Sequence, residues 1–337
     1  MTRCAVFGTG SWGTAFAMIL ADAGGEVTLW GRRPWLVDAI NDSHENPDYF
    51  PGIRLPEAVT ATVDPAKAAA GADFVVLAVP SQTLRENLTA WAPLLPSDAV
   101  LVSLMKGIEL GSVKRMSEVI REVAQVPEDR VAVVSGPNLA TEIARRQPAA
   151  SVVACADEDV ARRLQAACMT PYFRPYTNVD VVGCELGGTV KNVIGLAAGA
   201  ADGMELGDNA KASLITRGLA ETMRLGAAMG ADQHTFAGLA GLGDLVATCT
   251  STLSRNHTFG VNLGRGMTVE EATAAMRQTT EGVKSCLAVQ ELARRHGVEM
   301  PIVDTVVAMV HDGKSPHLSL KELMSRTAKP ERYDVDG

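Results

Sequence analysis

The stretch Cys4–Trp30, CAVFGTGSWGTAFAMILADAGGEVTLW, decides how the rest of the chain is read. Cys4-Ala-Val-Phe7 is a short apolar run, and Gly8-Thr-Gly10-Ser-Trp-Gly13 follows it directly. Thr14 to Ala23 has a helical pattern, Gly24-Gly25 turns the chain, and Glu26-Val-Thr-Leu-Trp30 reads as a second strand. A glycine pattern of this kind is weak by itself. Between a strand and a helix it is the fingerprint of a dinucleotide-binding unit. Gly8 permits the tight turn, Gly10 lets the backbone approach a pyrophosphate, and Gly13 lets the helix pack on the strand. The helix N-terminus, with Ser11 and Trp12 in its first turn, offers unpaired N–H groups to phosphate. The uncharged run Cys4 to Leu20 after Arg3 has the outline of an export signal. Its three glycines break it into strand, turn and helix, so no export signal is expected.

The end of the second strand bears on the cofactor. An NAD site usually places an acid there for the ribose hydroxyls. This chain has Trp30-Gly31-Arg32-Arg33, with two guanidinium groups that suit a 2′-phosphate. NADP(H) is therefore the expected cofactor, with NAD(H) as the other candidate. A solvated basic loop is the plainer alternative.

Further along, Asn41 to Pro56 reads as a proline-rich loop. Strand patterns at 72–80, 99–104, 131–135, 151–155 and 172–176 alternate with helical ones at 65–71, 81–91 and 112–125. The strand at 99–104 delivers Lys106 beyond its C-terminal end, where open α/β sheets bind ligands. Gly136-Pro-Asn-Leu-Ala140 is a second tight turn into a helix. After about Val182 the strand patterns stop. The expected fold is an α/β Rossmann-type dinucleotide-binding domain over residues 1–182, followed by an all-α substrate domain over 183–337. The polar tail after Pro330 is expected to fray.

Composition narrows the function. The chain has 337 residues, 47% hydrophobic and 21% charged, as in an ordinary globular protein with room for two cores. A net charge of −8 gives no general attraction to nucleic acid or anionic membrane. An anionic substrate would need a local basic site. The six cysteines show no metal-ligand spacing, nor do the histidines, and scattered thiols suit a reducing cytoplasm. Outside the first helix no uncharged run is long enough to span a membrane.

The helical half holds the chemistry. From Glu185 to Ala201 apolar residues fall on nearly every side, which marks a buried helix. Lys191 stands in the middle of it, and positions 187, 195 and 199 on its face are glycine. That face reads as a bare groove holding one ammonium. A buried lysine is costly unless paired or used, and the alternative is a packing groove whose lysine reaches to water. Gly238-Leu-Ala-Gly-Leu-Gly-Asp244 ends in an acid, and Ser254-Arg255-Asn256 offers a hydroxyl, a guanidinium and an amide suited to phosphate oxygens. Asp244 could equally be an N-cap, and Arg255 a surface residue. His257, beside Asn256, is the one histidine of interest.

Taken together, these segments resemble the bacterial-type glycerol-3-phosphate dehydrogenase family. GTGSWGTA near the start, VPSQ at 79–82, SLMKGIE at 103–109 and SGPNLA at 135–140 match its motifs in order. So do ELGGTVKNVIGLAAG at 185–199, GDNAKASLITRG at 207–218, GLAGLGDL at 238–245, TCTS at 248–251, SRN at 254–256, TEGV at 280–283 and MPI at 300–302. The resemblance implies reversible hydride transfer between NAD(P)H and dihydroxyacetone phosphate, giving sn-glycerol 3-phosphate for phospholipid synthesis in the cytoplasm. It implies Lys191 as general acid/base, flanked by Lys106 and Asp244. Gly136, Asn138, Ser254, Arg255 and Asn256 would join these three at the substrate. Ser11, Trp12, Arg32, Arg33, Lys106, Ala140, Arg255, Thr279 and Glu281 would meet the cofactor. The family usually has Ser or Thr where this chain has Asn138. Lys106 is expected to act as a second cation that lowers the Lys191 pKa. The chain would not insert in a membrane or bind nucleic acid, and a homodimer is left open. Two rivals remain: a related dehydrogenase of 3-hydroxyacyl or 6-phosphogluconate type, and a dinucleotide-binding sensor that has lost catalysis.

Overall fold

In the strand Arg3–Phe7 (β1) the apolar run Cys4-Ala-Val-Phe7 is buried because both of its faces are covered. Cys4 and Val6 join one side's core with the helix Ser11–Asp22, while Ala5 and Phe7 join the other side's with Leu84 and Trp91. Fully covered strands need no polar alternation. The structure, a computed structural model, is described for residues 1–276, 280–328 and 330–331. Thr279 and the tail from 332 to 337 lie outside the described residues.

The other strands are Glu26–Trp30 (β2), Val59–Thr62 (β3), Phe74–Leu77 (β4), Val100–Ser103 (β5), Val131–Ser135 (β6), Ala149–Ala154 (β7) and Phe173–Asn178 (β8). They form one sheet in the order β3-β2-β1-β4-β5-β6-β7-β8. The first six are parallel, β7 is antiparallel to β6, and β8 runs parallel to β7. The order reverses between β1 and β4, the switch point at which a doubly wound sheet opens a ligand crevice. Phe7 and Leu77 are register partners, as are Leu77 and Ser103. The glycine loop, the Ala78–Ser81 segment, Lys106 and Gly136 therefore leave the sheet along one edge.

From Val181 on, every described regular element is helical. The helix Val181–Gly203 is its axis, buried from Gly183 to Ala201 except at Lys191. It is long and apolar enough to cross a membrane, but 83% of its apolar window is buried inside the protein. The helices Asp208–Ala228, Asp244–Thr250, Arg255–Gly264 and Glu281–Arg295 pack around it.

Three readings are corrected. The loop expected over Asn41 to Pro56 starts later, because the helix Pro34–Ser43 runs into it. The helix expected from Ser112 begins at Met116, after a turn in which Val113 takes a positive φ. The strand Val59–Thr62 was not foreseen; it is four residues long, on the sheet edge, and takes its pairing from β2.

Candidate active site

The glycine face of the Val181–Gly203 helix is not a bare groove. A Cβ on Gly199 would sit 2.0 Å from the His257 carbonyl oxygen, and one on Gly195 2.7 Å from the Thr248 methyl. Gly260 returns the fit, since its Cβ would lie 2.2 Å from the Leu196 carbonyl oxygen. The glycines let two further helices close on this one, and the closure puts Asp244 and Thr248 at Lys191.

Lys191 Nζ donates to Thr248 Oγ1 at 2.7 Å and lies 3.0 Å from Asp244 Oδ1. Lys106 Nζ lies 2.6 Å from Asp244 Oδ2 and donates to the Gly136 carbonyl at 2.9 Å. One carboxylate, 1% exposed, thus holds two ammonium groups, one from the sheet edge and one from the helical half. The trio keeps one net positive charge where both lysine side chains are 12–14% exposed. Burial, opposed by the Asp244 charge and helped by the Lys191 charge, pulls the Lys106 ammonium down to about 8. Burial disfavours the charged form.

A hydrogen-bonded chain fixes this geometry. Asn192 Nδ2 donates to the Lys106 carbonyl at 3.2 Å, and Asn256 Nδ2 donates to Asn192 Oδ1 at 2.9 Å. The Gly282 N–H donates to Asn256 Oδ1 at 2.9 Å. Ser81 Oγ closes the set by donating to Glu281 Oε2 at 2.8 Å. Glu281 and Asn256 are thereby engaged with protein. Ser254 caps the helix Arg255–Gly264, accepting from the His257 N–H at 3.3 Å, which leaves its own proton free to donate. Arg255 opens that helix, exposed, in the field of the Glu281 carboxylate. His257 points elsewhere, its Nε2 being 2.8 Å from Asp202 Oδ2.

Asn138 Oδ1 accepts from Ser151 Oγ at 3.1 Å, while its Nδ2 is buried without a partner among the described residues. Ser135 Oγ, from the same turn, is also buried and unpartnered there. Gly136 holds φ +131° and leaves no slack, for its Cβ would stand 3.1 Å from Ser151 Cα. Ala140 starts the short helix Ala140–Ala144.

The glycine loop fits a dinucleotide pyrophosphate. Gly8 has φ +133° and its Cβ would meet the Ala78 carbonyl oxygen at 2.4 Å; the Cβ of Gly13 would meet the Gly8 carbonyl oxygen at 2.2 Å. Gly10 has nothing within 4 Å of such a Cβ, so the space above it is open. The helix Ser11–Asp22 has no side-chain cap and no acid in its first turn. The indole Nε1 of Trp12 is buried without a partner among the described residues. Arg32 is exposed and has no ion-pair partner among the described residues. Arg33 is paired with Asp48 and stacks over Trp35 at 5.3 Å.

The sequence reading gave no role to Asn192, Thr248, Ser81 or Asn46. Asn46, fully buried, donates to the Thr9 carbonyl at 3.1 Å and to Thr14 Oγ1 at 2.9 Å, which pins the glycine loop from the 44–56 segment. Thr248 could have been found by its spacing, since it lies one turn after Asp244 on the same helix face.

Comparison with known proteins gives the family of the chain. Residues 3–161 match the family described as NAD-dependent glycerol-3-phosphate dehydrogenase N-terminus, and residues 180–321 match its C-terminus counterpart. A Streptomyces griseus protein named glycerol-3-phosphate dehydrogenase (NAD(P)+) is 73% identical over 98% of this chain and 98% of its own length. A Thermobifida fusca protein of the same name is 66% identical over 99% and 100%. The crystal structure of glycerol-3-phosphate dehydrogenase from Coxiella burnetii superposes with a TM-score of 0.91 at 38% identity, covering 96% of this chain and 99% of that one.

Proposed function

The chain belongs to the NAD-dependent glycerol-3-phosphate dehydrogenase family and interconverts dihydroxyacetone phosphate and sn-glycerol 3-phosphate with NAD(P)H, and from that premise we propose that Lys191 is the proton donor to the substrate carbonyl oxygen. The observation that carries this is the pair of ammonium groups on the one buried carboxylate of Asp244. When bound, the reduced nicotinamide supplies hydride to the carbonyl carbon. Lys191 Nζ stabilises the charge growing on the oxygen and passes it a proton. Asp244 and Thr248 hold that ammonium in one direction. Lys106 keeps the site positive without competing for the same carboxylate oxygen.

Arg255, Asn256 and the free proton of Ser254 form the anchor for the substrate phosphate, remote from the reacting carbon. Asn138 Nδ2, a donor with no partner among the described residues, faces the substrate in this reading. Gly8, Gly10, Ser11, Trp12 and Gly13 take the pyrophosphate. Arg32, with Arg33 beside it, takes a 2′-phosphate, so NADP(H) is the preferred cofactor. Ala140, Thr279 and Glu281 are kept as cofactor contacts by resemblance alone. Residues 1–182 act as the dinucleotide domain and 183–337 as the substrate domain, with the last strand ending at Asn178. A cytoplasmic location and a homodimer complete the reading. The inactive-sensor alternative finds no support, given relatives at 73% identity named as the enzyme.

The test is loss of absorbance at 340 nm with dihydroxyacetone phosphate, run with NADPH and with NADH. Lys191→Met should keep cofactor affinity and lose turnover by about 10²–10⁴-fold. Near-normal turnover in that variant would overturn the role of Lys191.

A further inference from the structure

The Val181–Gly203 helix has a second working face. By helical periodicity Ala197, Ala200, Ala201 and Met204 lie opposite Lys191, Gly195 and Gly199. They line a cavity of about 1040 Å³ bounded by the helices Asp208–Ala228, Pro301–His311 and Pro316–Met324. Lys106, Lys191 and Asp244 do not reach it. Its size is at the top of the roughly 300–1,000 Å³ usual for small-molecule sites, and alanine, leucine, methionine, proline, valine and isoleucine supply most of its wall.

Its charged groups are unequal. Glu221 is satisfied, accepting from the Ile302 and Val303 N–H groups at 2.8 and 3.4 Å. Arg224 donates to the Glu299 carbonyl at 3.0 Å, Arg326 lies 3.4 Å from the Glu299 carboxylate, and Glu331 at the rim is exposed. Arg217 is different. It is half-buried on the wall, with no hydrogen bond or ion pair among the described residues. Ser319 is 2% exposed, lines the same cavity, and its hydroxyl has no partner among the described residues. An unpaired cation beside apolar walls carries a desolvation cost that a ligand could remove. The covering helix Pro316–Met324 buries only Ser319, leaving Leu318 and Met324 exposed, so it roofs the cavity without filling it.

We propose that this cavity is a second binding site, separate from the catalytic one, for a single-chain fatty-acid anion. The Arg217 guanidinium takes the carboxylate, and the chain runs among Met204, Leu214, Met309 and Leu323. An amine would find Glu221 already committed to backbone.

The full-length protein should be titrated with the fluorescent probe 11-(dansylamino)undecanoate and the probe displaced with dodecanoate. Saturable binding, weakened about tenfold or more in Arg217→Gln and lost in Leu214→Trp, is the expected result. Both variants should keep the 340 nm activity, which shows them folded and leaves the probe signal as the readout of the cavity. Absence of saturable binding below the micellar concentration would overturn the proposal. So would equal affinity in both variants, or displacement of the probe by NADPH or glycerol 3-phosphate, which would put it in the catalytic site. Exclusion of the probe by a second copy of the chain, seen as release of binding on dilution of a dimer, would overturn it too.

Discussion

Asn256 donates through Nδ2 to Asn192 Oδ1 at 2.9 Å, and this bond fastens the helix that carries Arg255 to the helix that carries Lys191. Each amide is satisfied at its other end as well, Asn192 by the Lys106 carbonyl and Asn256 by the Gly282 N–H. The phosphate anchor, the proton donor and the sheet-edge lysine are thus spaced by one polar chain rather than by packing alone.

Asn192→Ala should therefore act twice. It leaves the Asn256 amide and the Lys106 carbonyl without their buried partner, a cost of about 1–3 kcal/mol. It also loosens Lys106 against Arg255. Urea denaturation should read the first effect, and a fall in kcat/KM larger than any change in cofactor affinity should read the second. A stability loss with unchanged kinetics would reduce Asn192 to a structural residue.

The Lys106 ammonium, lowered from 10.5 to about 8, sets a pH dependence. Below pH 8 it is charged in the folded protein and keeps the Asp244 trio net positive. As pH rises through 8 that charge is lost, so the KM for dihydroxyacetone phosphate should rise on the alkaline limb. Lys106→Arg should move this limb to higher pH, because a guanidinium stays charged. The stability effect has the opposite sign. Between about pH 8 and 10.5 the unfolded chain holds this proton more tightly than the folded one, so the burial cost is relieved as pH rises. Paired pH profiles of KM and of urea midpoint would check both signs.

What was readable in advance followed distance along the chain. Gly8, Gly10 and Gly13 act within one loop, and Lys191 betrayed itself as a charge in an apolar helix, so local pattern sufficed. The partners of those groups were out of reach. The glycines at 195 and 199 looked like open space because their contacts, the Thr248 methyl and the His257 backbone, lie dozens of residues away. Asn46 reaches back across more than thirty residues to Thr9 and Thr14, and no periodicity announces such a bond. The lowered Lys106 ammonium was not legible either, because burial at the sheet edge depends on how the helical half closes over it.

Cofactor preference separates two adjacent arginines. Arg32 is exposed and has no ion pair among the described residues, whereas Arg33 is committed to Asp48 and Trp35. Arg32→Ala should raise the KM for NADPH by about tenfold or more, the scale of one lost charge-assisted hydrogen bond, with little change for NADH. Arg33→Ala should do less. Equal effects on both cofactors would remove the 2′-phosphate from this account.

Three alanine substitutions in the glycine loop and the helix groove should separate binding from folding. At Gly10 the new methyl meets nothing within 4 Å, so Gly10→Ala should keep its Tm and lose NADPH affinity, since the methyl enters the space left for the pyrophosphate. At Gly13 the methyl would stand 2.2 Å from the Gly8 carbonyl oxygen, and at Gly199 it would stand 2.0 Å from that of His257. Neither neighbour is a flexible side chain, so the backbones must part. Overpacking of this kind costs about 1–3 kcal/mol or more. Gly199→Ala should thus lower the Tm and, by pushing the helix that carries Arg255 and Asn256 off the helix that carries Lys191, lower turnover while NADPH binding holds. Thermal melts with and without NADPH, beside turnover, distinguish the cases. A Gly10→Ala protein that binds NADPH normally would mean the pyrophosphate does not approach that backbone.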